Sequence, residues 1–314
     1  MASKRGLEWS YRDITVSERG LLNPNICALA GNELIVTAAP RHCFLVGPGI
    51  ASVIRQPSFS SEFVTALHAP ASTSTQPPLW SAATKLTWTE MWRTGQTTGI
   101  RVQTRDSVNC IAFSDAGDLL AMGLGEYPLG THEAHAAVQL FATADPTVEL
   151  GHTVLTGSAS DRIAFDSTND LLVVTTGVRG QDRGYVFLLE SPSLNVRDVA
   201  ETDAFYCVAI FVHQDEDCVS LVYRDRIELR RFDAFQEIEW RWNIDETVGA
   251  TFDANRKMII LSSGKIISPG VGEVGQLPNL PQCTGVAMLD AERVAGISSD
   301  GILRVWALKN GEME

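Results

Sequence analysis

The chain has 314 residues, 45% of them hydrophobic and 20% charged, and a formal net charge of -13. That length exceeds what one ordinary hydrophobic core holds, so the choice lies between two domains and a single repeat architecture. The apolar content excludes disorder over the whole length, and the acidic balance disfavours direct binding of nucleic acid.

In chain order, "MASKRGLEWSYRD" contains no apolar core of signal-peptide length. "GLEWSYRDITV" (6–16) reads as a strand. "NICALAGNELIVTAA" (25–39) then "HCFLVG" (42–47) predict three strands, and "IASVIRQ" (50–56) a fourth. A degenerate second copy begins at "FVTALHA" (63–69), continues at "KLTWTEMW" (85–92) and ends with "GIRVQT" (99–104). The third is clearest. "SVNCIAFSDAGDLLAMGLG" (107–125) is strand, polar turn and strand, with Asp and Gly supplying the turn's backbone angles. "AAVQLFAT" (136–143) and "TVELGHTVL" (147–155) follow after an insertion.

The same grammar returns four times. It begins with "DRIAFDSTNDLLVVTTG", "GYVFLLE" and "LNVRDVAE", then "FYCVAIFVHQDEDCVSLVY", "DRIELRRFD" and "FQEIEWRW". "GATFDANRKMIILSSG", "KIIS" and "GEVGQL" form the sixth copy, and "TGVAMLDAERVAGISSDGILRVWAL" (284–308) the last. First strands recur on average about every 43 residues, within the range of four-stranded repeat units. The last copy has three strands, so 6–16 is expected to supply its fourth and remove an open edge. Two stacked β-domains would also give short strands, but the even spacing and complementary chain ends favour one ring.

At Ser298, Asp300, Gly301 and Trp306 the sequence resembles the WD40 family. The resemblance implies an all-β, seven-bladed WD40-like β-propeller with four antiparallel strands per blade and the N-terminal strand completing the last. Its blades would span roughly 24–56, 62–105, 107–156, 160–202, 204–242, 247–277, and 283–308 plus 6–16. It also implies a buried hydrogen-bond network of Ser298, Asp300 and Trp306. No histidine precedes Thr284 to complete that network, and the Trp-Asp signature is absent, the nearest forms being Trp306-Ala307 and Phe232-Asp233. Gly151-His152 looks like the family's Gly-His pair.

Six cysteines occur without CxxC spacing, which gives no zinc or redox motif. Cys27, Cys110 and Cys207 lie in apolar runs and read as buried thiols of an intracellular protein, cytoplasmic or nuclear. No run approaches the length of a membrane-spanning helix. "GEYPLGTHEAHA" (125–136) places Tyr127, His132 and His135 on a polar insertion. His-Glu-Ala-His lacks the spacing of a helical zinc motif, so contact with a partner is the better reading. Trp80, within the irregular stretch 69–92, reads as an exposed interface aromatic, whereas Trp88 and Trp92 fill space between blades. "HQDEDC" (213–218) reads as a solvated acidic turn. On "YRDRIELRR" alternation puts Arg226 and Arg230 on one side, suited to an acidic partner segment.

No phosphate loop or nucleophile elbow is present. The expected function is a non-catalytic scaffold or adaptor subunit that binds other proteins of a multisubunit assembly, with no metal and no small-molecule cofactor. Two alternatives stand beside it. One is a hydrolase- or lactonase-like enzyme using the central channel, which the apolar inner strands disfavour. The other is a ubiquitin-ligase substrate receptor, for which "WALK" (306–309) keeps Trp but not Asp.

Overall fold

The computed structural model describes residues 9–17, 21–29, 33–39, 42–46, 53–55, 66–69, 79–83, 87–93, 99–125, 135–213, 216–279 and 283–308. These residues are nearly all β, with one three-residue 3-10 turn at Phe232–Ala234 and no helix long and apolar enough to cross a membrane.

Strand β1 is Trp9–Thr15. Seven antiparallel meanders follow, the third and fourth joined into one eight-stranded sheet through Gly125 and Ala159. The first holds β2 (Leu22–Leu29), β3 (Glu33–Ala39), β4 (His42–Val46) and β5 (Val53–Arg55), and the second β6 (Ala66–His68), β7 (Leu79–Ala83), β8 (Trp88–Arg93) and β9 (Ile100–Gln103). The third holds β10 (Val108–Phe113), β11 (Leu119–Gly125), β12 (Ala136–Ala142) and β13 (Glu149–Leu155), and the fourth β14 (Ala159–Phe165), β15 (Leu171–Gly177), β16 (Gly184–Glu190) and β17 (Val196–Thr202). The fifth holds β18 (Cys207–His213), β19 (Cys218–Tyr223), β20 (Arg226–Arg231) and β21 (Trp240–Asn243), and the sixth β22 (Ala250–Asp253), β23 (Met258–Leu261), β24 (Lys265–Ser268) and β25 (Gly272–Gln276). The seventh has only β26 (Cys283–Met288), β27 (Arg293–Ser298) and β28 (Ile302–Leu308) from its own stretch. Its fourth strand is β1, paired with β28 from Trp9–Leu308 to Thr15–Ile302.

Burial explains the strand sequences. β11, β15 and β27 are buried at every position but the first, and β19 is buried throughout, so second strands read as continuous apolar runs rather than alternating ones. Fourth strands stand outermost, and β17 and β21 are mostly exposed and polar. Among the described residues, six apolar clusters lie between consecutive meanders, one of them joining the seventh to the first through Leu303, Ile297, Leu34 and Val36. Each first strand lies against the first strands of the neighbouring meanders, with β2 against β26 completing the cycle. Four of the first strands share a further device. A bulge falls between Val108 and Cys110, Ser160 and Arg162, Cys207 and Ala209, and Cys283 and Gly285. Such an extra residue re-aims one side chain without breaking the sheet.

Two expectations are corrected. The stretch 69–92, irregular by sequence, holds a strand ahead of 85–92 that the sequence did not suggest, Leu79–Ala83, the second of its meander. The Ser298–Asp300–Trp306 network is divided. The Ser298 hydroxyl bonds to the Asp300 carboxylate, but Trp306 Nε1 donates to Pro278 O at 2.9 Å. The indole is fully buried between the sixth and seventh meanders, where its ring lies over Gly296 and meets a nearer carbonyl.

Gly301, at φ 86, closes the turn before β28. A side chain there would collide with the Ser17 backbone. The Gly301 carbonyl accepts the Val16 N–H at 2.9 Å, and Ser299 O accepts the Leu21 N–H at 2.7 Å. The start of the chain is thus stitched to the last hairpin. Deleting residues 1–16 strips Ile14 and Val16 from this seam, where each buried aliphatic side chain contributes about 1.5–3 kcal/mol. The truncated protein is expected to melt several degrees lower and to self-associate through the bared β28 edge. Melting and light scattering check this; an equally stable monomer would refute the closure role.

Candidate functional site: the face of the inter-sheet links

In an antiparallel meander the loops between second and third strands emerge at the same end as the links to the next first strand. The other two turns emerge at the opposite end. The insertion 125–136 joins β11 to β12 and belongs to the link face. Tyr127 and His132 lie outside the described residues; His135, at its end, is exposed.

Among the described residues, two clefts open on this face. One of about 550 Å³ is lined by His135, Leu155, Gly157, Arg183 and Tyr185, among others. The second, of about 430 Å³, lies between the fourth and fifth meanders, bordered by Asp182, Asp203, Phe205, Tyr206, Arg224 and Arg226. Phe205 and Tyr206 are 40% and 38% exposed. Gly177 allows the link to lie flat, since any side chain there would strike the Phe205 carbonyl.

Arg162 fixes Tyr206 from below. Its Nη2 donates to Tyr206 Oη at 2.7 Å, its Nε to Val208 O at 2.6 Å, and its Nη1 to Asp161 O at 2.6 Å. The guanidinium also sits 5.1 Å from the tyrosine ring centre, in cation–π range. Asp161 is the bulge residue of β14. Burial pushes its carboxyl up to about 7, opposed by the Arg162 charge and the Cys207 backbone N–H. The neighbouring Cys110 and Cys207 thiols are pushed up to about 12, again by burial, which makes them inert as nucleophiles at neutral pH. His68 is the histidine of a first strand. Burial lowers it to about 4, and its Nδ1 accepts the Phe113 N–H at 3.2 Å.

The arginine hairpin differs from its sequence reading. Arg226 and Arg230 do share one side, but that side faces the fourth meander rather than solvent. They are 6% and 1% exposed, and Glu228 between them is fully buried. Glu228 Oε1 accepts from Arg226 Nε at 2.9 Å and from Arg241 Nη2 at 2.8 Å, and its Oε2 accepts from Arg230 Nη2 at 3.0 Å. Arg230 also donates to Phe235 O at 3.1 Å, and Arg226 pairs with Asp203 and lies over the Tyr223 ring. Arg230 is therefore not a partner-binding residue, and Arg226 reaches the cleft only by its edge. Arg224, paired with Glu246, is the exposed cation of this turn. Trp80 stands in β7 across from Trp92, at the opposite end of its sheet from the link face. Trp92 is buried, and Trp88 carries the Arg101 guanidinium 4.2 Å from its ring centre.

The structure thus brings Arg226 and His135 to the link face, on separate clefts, and places Trp80 and Arg230 elsewhere. Sequence reasoning missed Arg162, Asp161, Asp203, Phe205 and Tyr206. The only signal was "DR" (161–162) interrupting an otherwise apolar first-strand pattern. No protein-family model matches this chain, and no curated protein matches its sequence.

Two outcomes test the electrostatics. Glu228→Ala leaves three guanidiniums without their shared acceptor and is expected to cost about 3–5 kcal/mol in urea denaturation, whereas joint Glu228→Leu/Arg230→Met loses less. For Asp161, the folded chain holds a proton that the unfolded chain releases near pH 4, so its contribution falls as pH rises from about 4 to 7. Asp161→Asn should flatten that slope and gain stability over wild type at pH 8 relative to pH 5. The scale is about 1.4 kcal/mol per tenfold change in proton affinity.

Proposed function

We propose that the seven meanders form a seven-bladed, WD40-like β-propeller and that the protein is a non-catalytic scaffold, an adaptor subunit of a multiprotein assembly that grips a partner protein on its link face. Seven consecutive four-stranded units, the cycle of first strands and the borrowed β1 support the ring. The observation that carries the binding role is the pair Phe205–Tyr206. Two aromatic side chains stand partly bare beside a cleft, their link pinned by Arg162, with Asp182, Asp203 and Arg224 around them. Aromatic anchors ringed by polar groups are the composition of interface hot spots. Holding them rigid before binding reduces the entropy lost on association.

Affinity purification from the native source with mass spectrometry tests this. Stoichiometric partner proteins are expected with the wild type. Joint Phe205→Ala/Tyr206→Ala should lose them, weakening binding by 2 kcal/mol or more, about thirtyfold, while the melting temperature falls by only a few degrees for the lost Arg162–Tyr206 bond. A wild-type monomer without partners, or full retention by the double variant, rules the reading out.

A second reading, a hydrolase working from the ring's centre, is favoured by Asp161, a first-strand carboxyl whose proton affinity lies near neutrality. It requires turnover of ester or lactone substrates that Asp161→Asn abolishes.

A further inference from the structure

The hairpin between β18 and β19 turns at the end of the molecule opposite the link face. Its sequence suggests a solvated acidic turn, yet two of its side chains are buried: His213 is 4% exposed and Cys218 3%. They are direct cross-strand partners, which sets their Cβ atoms about 4.5–5.5 Å apart. Asp217, left-handed at φ 46, closes the turn on the Cys218 side. Ligand-capable atoms of His213, Glu216 and Cys218 all lie within 4.8 Å of one another. Cys218 Sγ is 3.9 Å from Glu216 Oε2.

The remaining polar atoms are already engaged. His213 Nε2 is 2.7 Å from Ser220 Oγ, while His213 Nδ1, buried, has no hydrogen-bond partner. Glu216 Oε1 is held by the Lys257 ammonium, which leaves Oε2 beside the thiol. An unpartnered ring nitrogen in a dry site costs about 1–3 kcal/mol unless its lone pair is used.

We propose that His213 Nδ1, Cys218 Sγ and Glu216 Oε2 bind one zinc-class divalent cation. Imidazole, thiolate and carboxylate together suit zinc or cobalt, whereas calcium and magnesium take oxygen ligands. Three protein ligands leave a fourth tetrahedral position for water or a partner's side chain. On binding, the Cys218 S–H bond breaks, the proton passes to solvent and the sulfur–metal bond forms, with no change in oxidation state. Ser220 and Lys257 act as outer partners that fix the imidazole tautomer and the carboxylate rotation. The site is independent of the link face and of the partner reading.

The test is titration of the chelator-treated full-length protein with Co²⁺. One equivalent should bind per chain, with a near-ultraviolet sulfur-to-cobalt band that Zn²⁺ displaces. Cys218→Ser should abolish the band. Glu216→Gln, at a side chain that is 46% exposed and so expected to spare the fold, should weaken Co²⁺ binding by roughly tenfold or more. Zn²⁺ should raise the melting temperature of wild type and not of Cys218→Ser. Absence of stoichiometric Co²⁺ binding overturns the proposal, as does an unchanged band in Cys218→Ser. If Cys218→Ser fails to fold, Glu216→Gln decides, and unaltered affinity there overturns it.

Discussion

A four-stranded sheet that is apolar on both faces cannot exist alone in water, and that constraint shapes this chain. The second strands are buried on both sides, so each meander depends on the one before it and the one after it. A linear stack would leave two such faces bare. The contact of the seventh meander with the first through Leu303, Ile297, Leu34 and Val36 covers both at once. The β1–β28 ladder then locks that seam covalently distant but spatially adjacent, much as a strap closes a belt, and Gly301 is the point where the strap passes too near for any side chain.

Against this apolar background the seam between the fourth and fifth meanders stands apart. Its inner part is aliphatic, from Val173 and Val186 to Val219 and Leu221. Its outer part holds Glu228 under three guanidiniums. Buried charge of this kind adds little net stability compared with apolar packing, but removing one member is expensive because its partners cannot reach water. The geometric result matters more for function. Arg226 at the edge of the cleft and Arg162 beneath Tyr206 are each held by three or more hydrogen bonds, which holds the ledge carrying Tyr206 in place.

The strand grammar was legible because it depends on local chemistry. Polar turns such as Ser114–Asp118 and Asp166–Asp170 end one strand and start the next, with the leading side chain accepting the N–H five residues on. Seven first strands and the role of β1 follow from counting such turns. The second strand of the second meander, Leu79–Ala83, was hidden because Pro-Pro and small polar residues precede it and separate it from its upstream partner, Ala66–His68. The site was less legible. Alternation correctly grouped Arg226 with Arg230, but alternation cannot say whether a face meets solvent or another sheet. Glu228, on the same side, was the available clue, since a carboxylate flanked by two arginines at two-residue spacing can neutralise them internally. The clefts arise from links brought together by the packing of neighbouring meanders and have no signature in one stretch of sequence.

The fifth meander connects both ends of the molecule. Phe205 and Tyr206 precede β18, and His213 and Cys218 follow and begin the hairpin at its far end. A seven-residue strand at about 3.3 Å per residue separates them by roughly 23 Å. No ligand at the hairpin reaches the cleft, and the strand between them is paired with β19 along its length. A cation at His213, Glu216 and Cys218 therefore acts on the folded state as a staple for the β18–β19 turn, raising the free energy of its local opening, and leaves the shape of the cleft unchanged. Signalling between the two ends would need a two-state element.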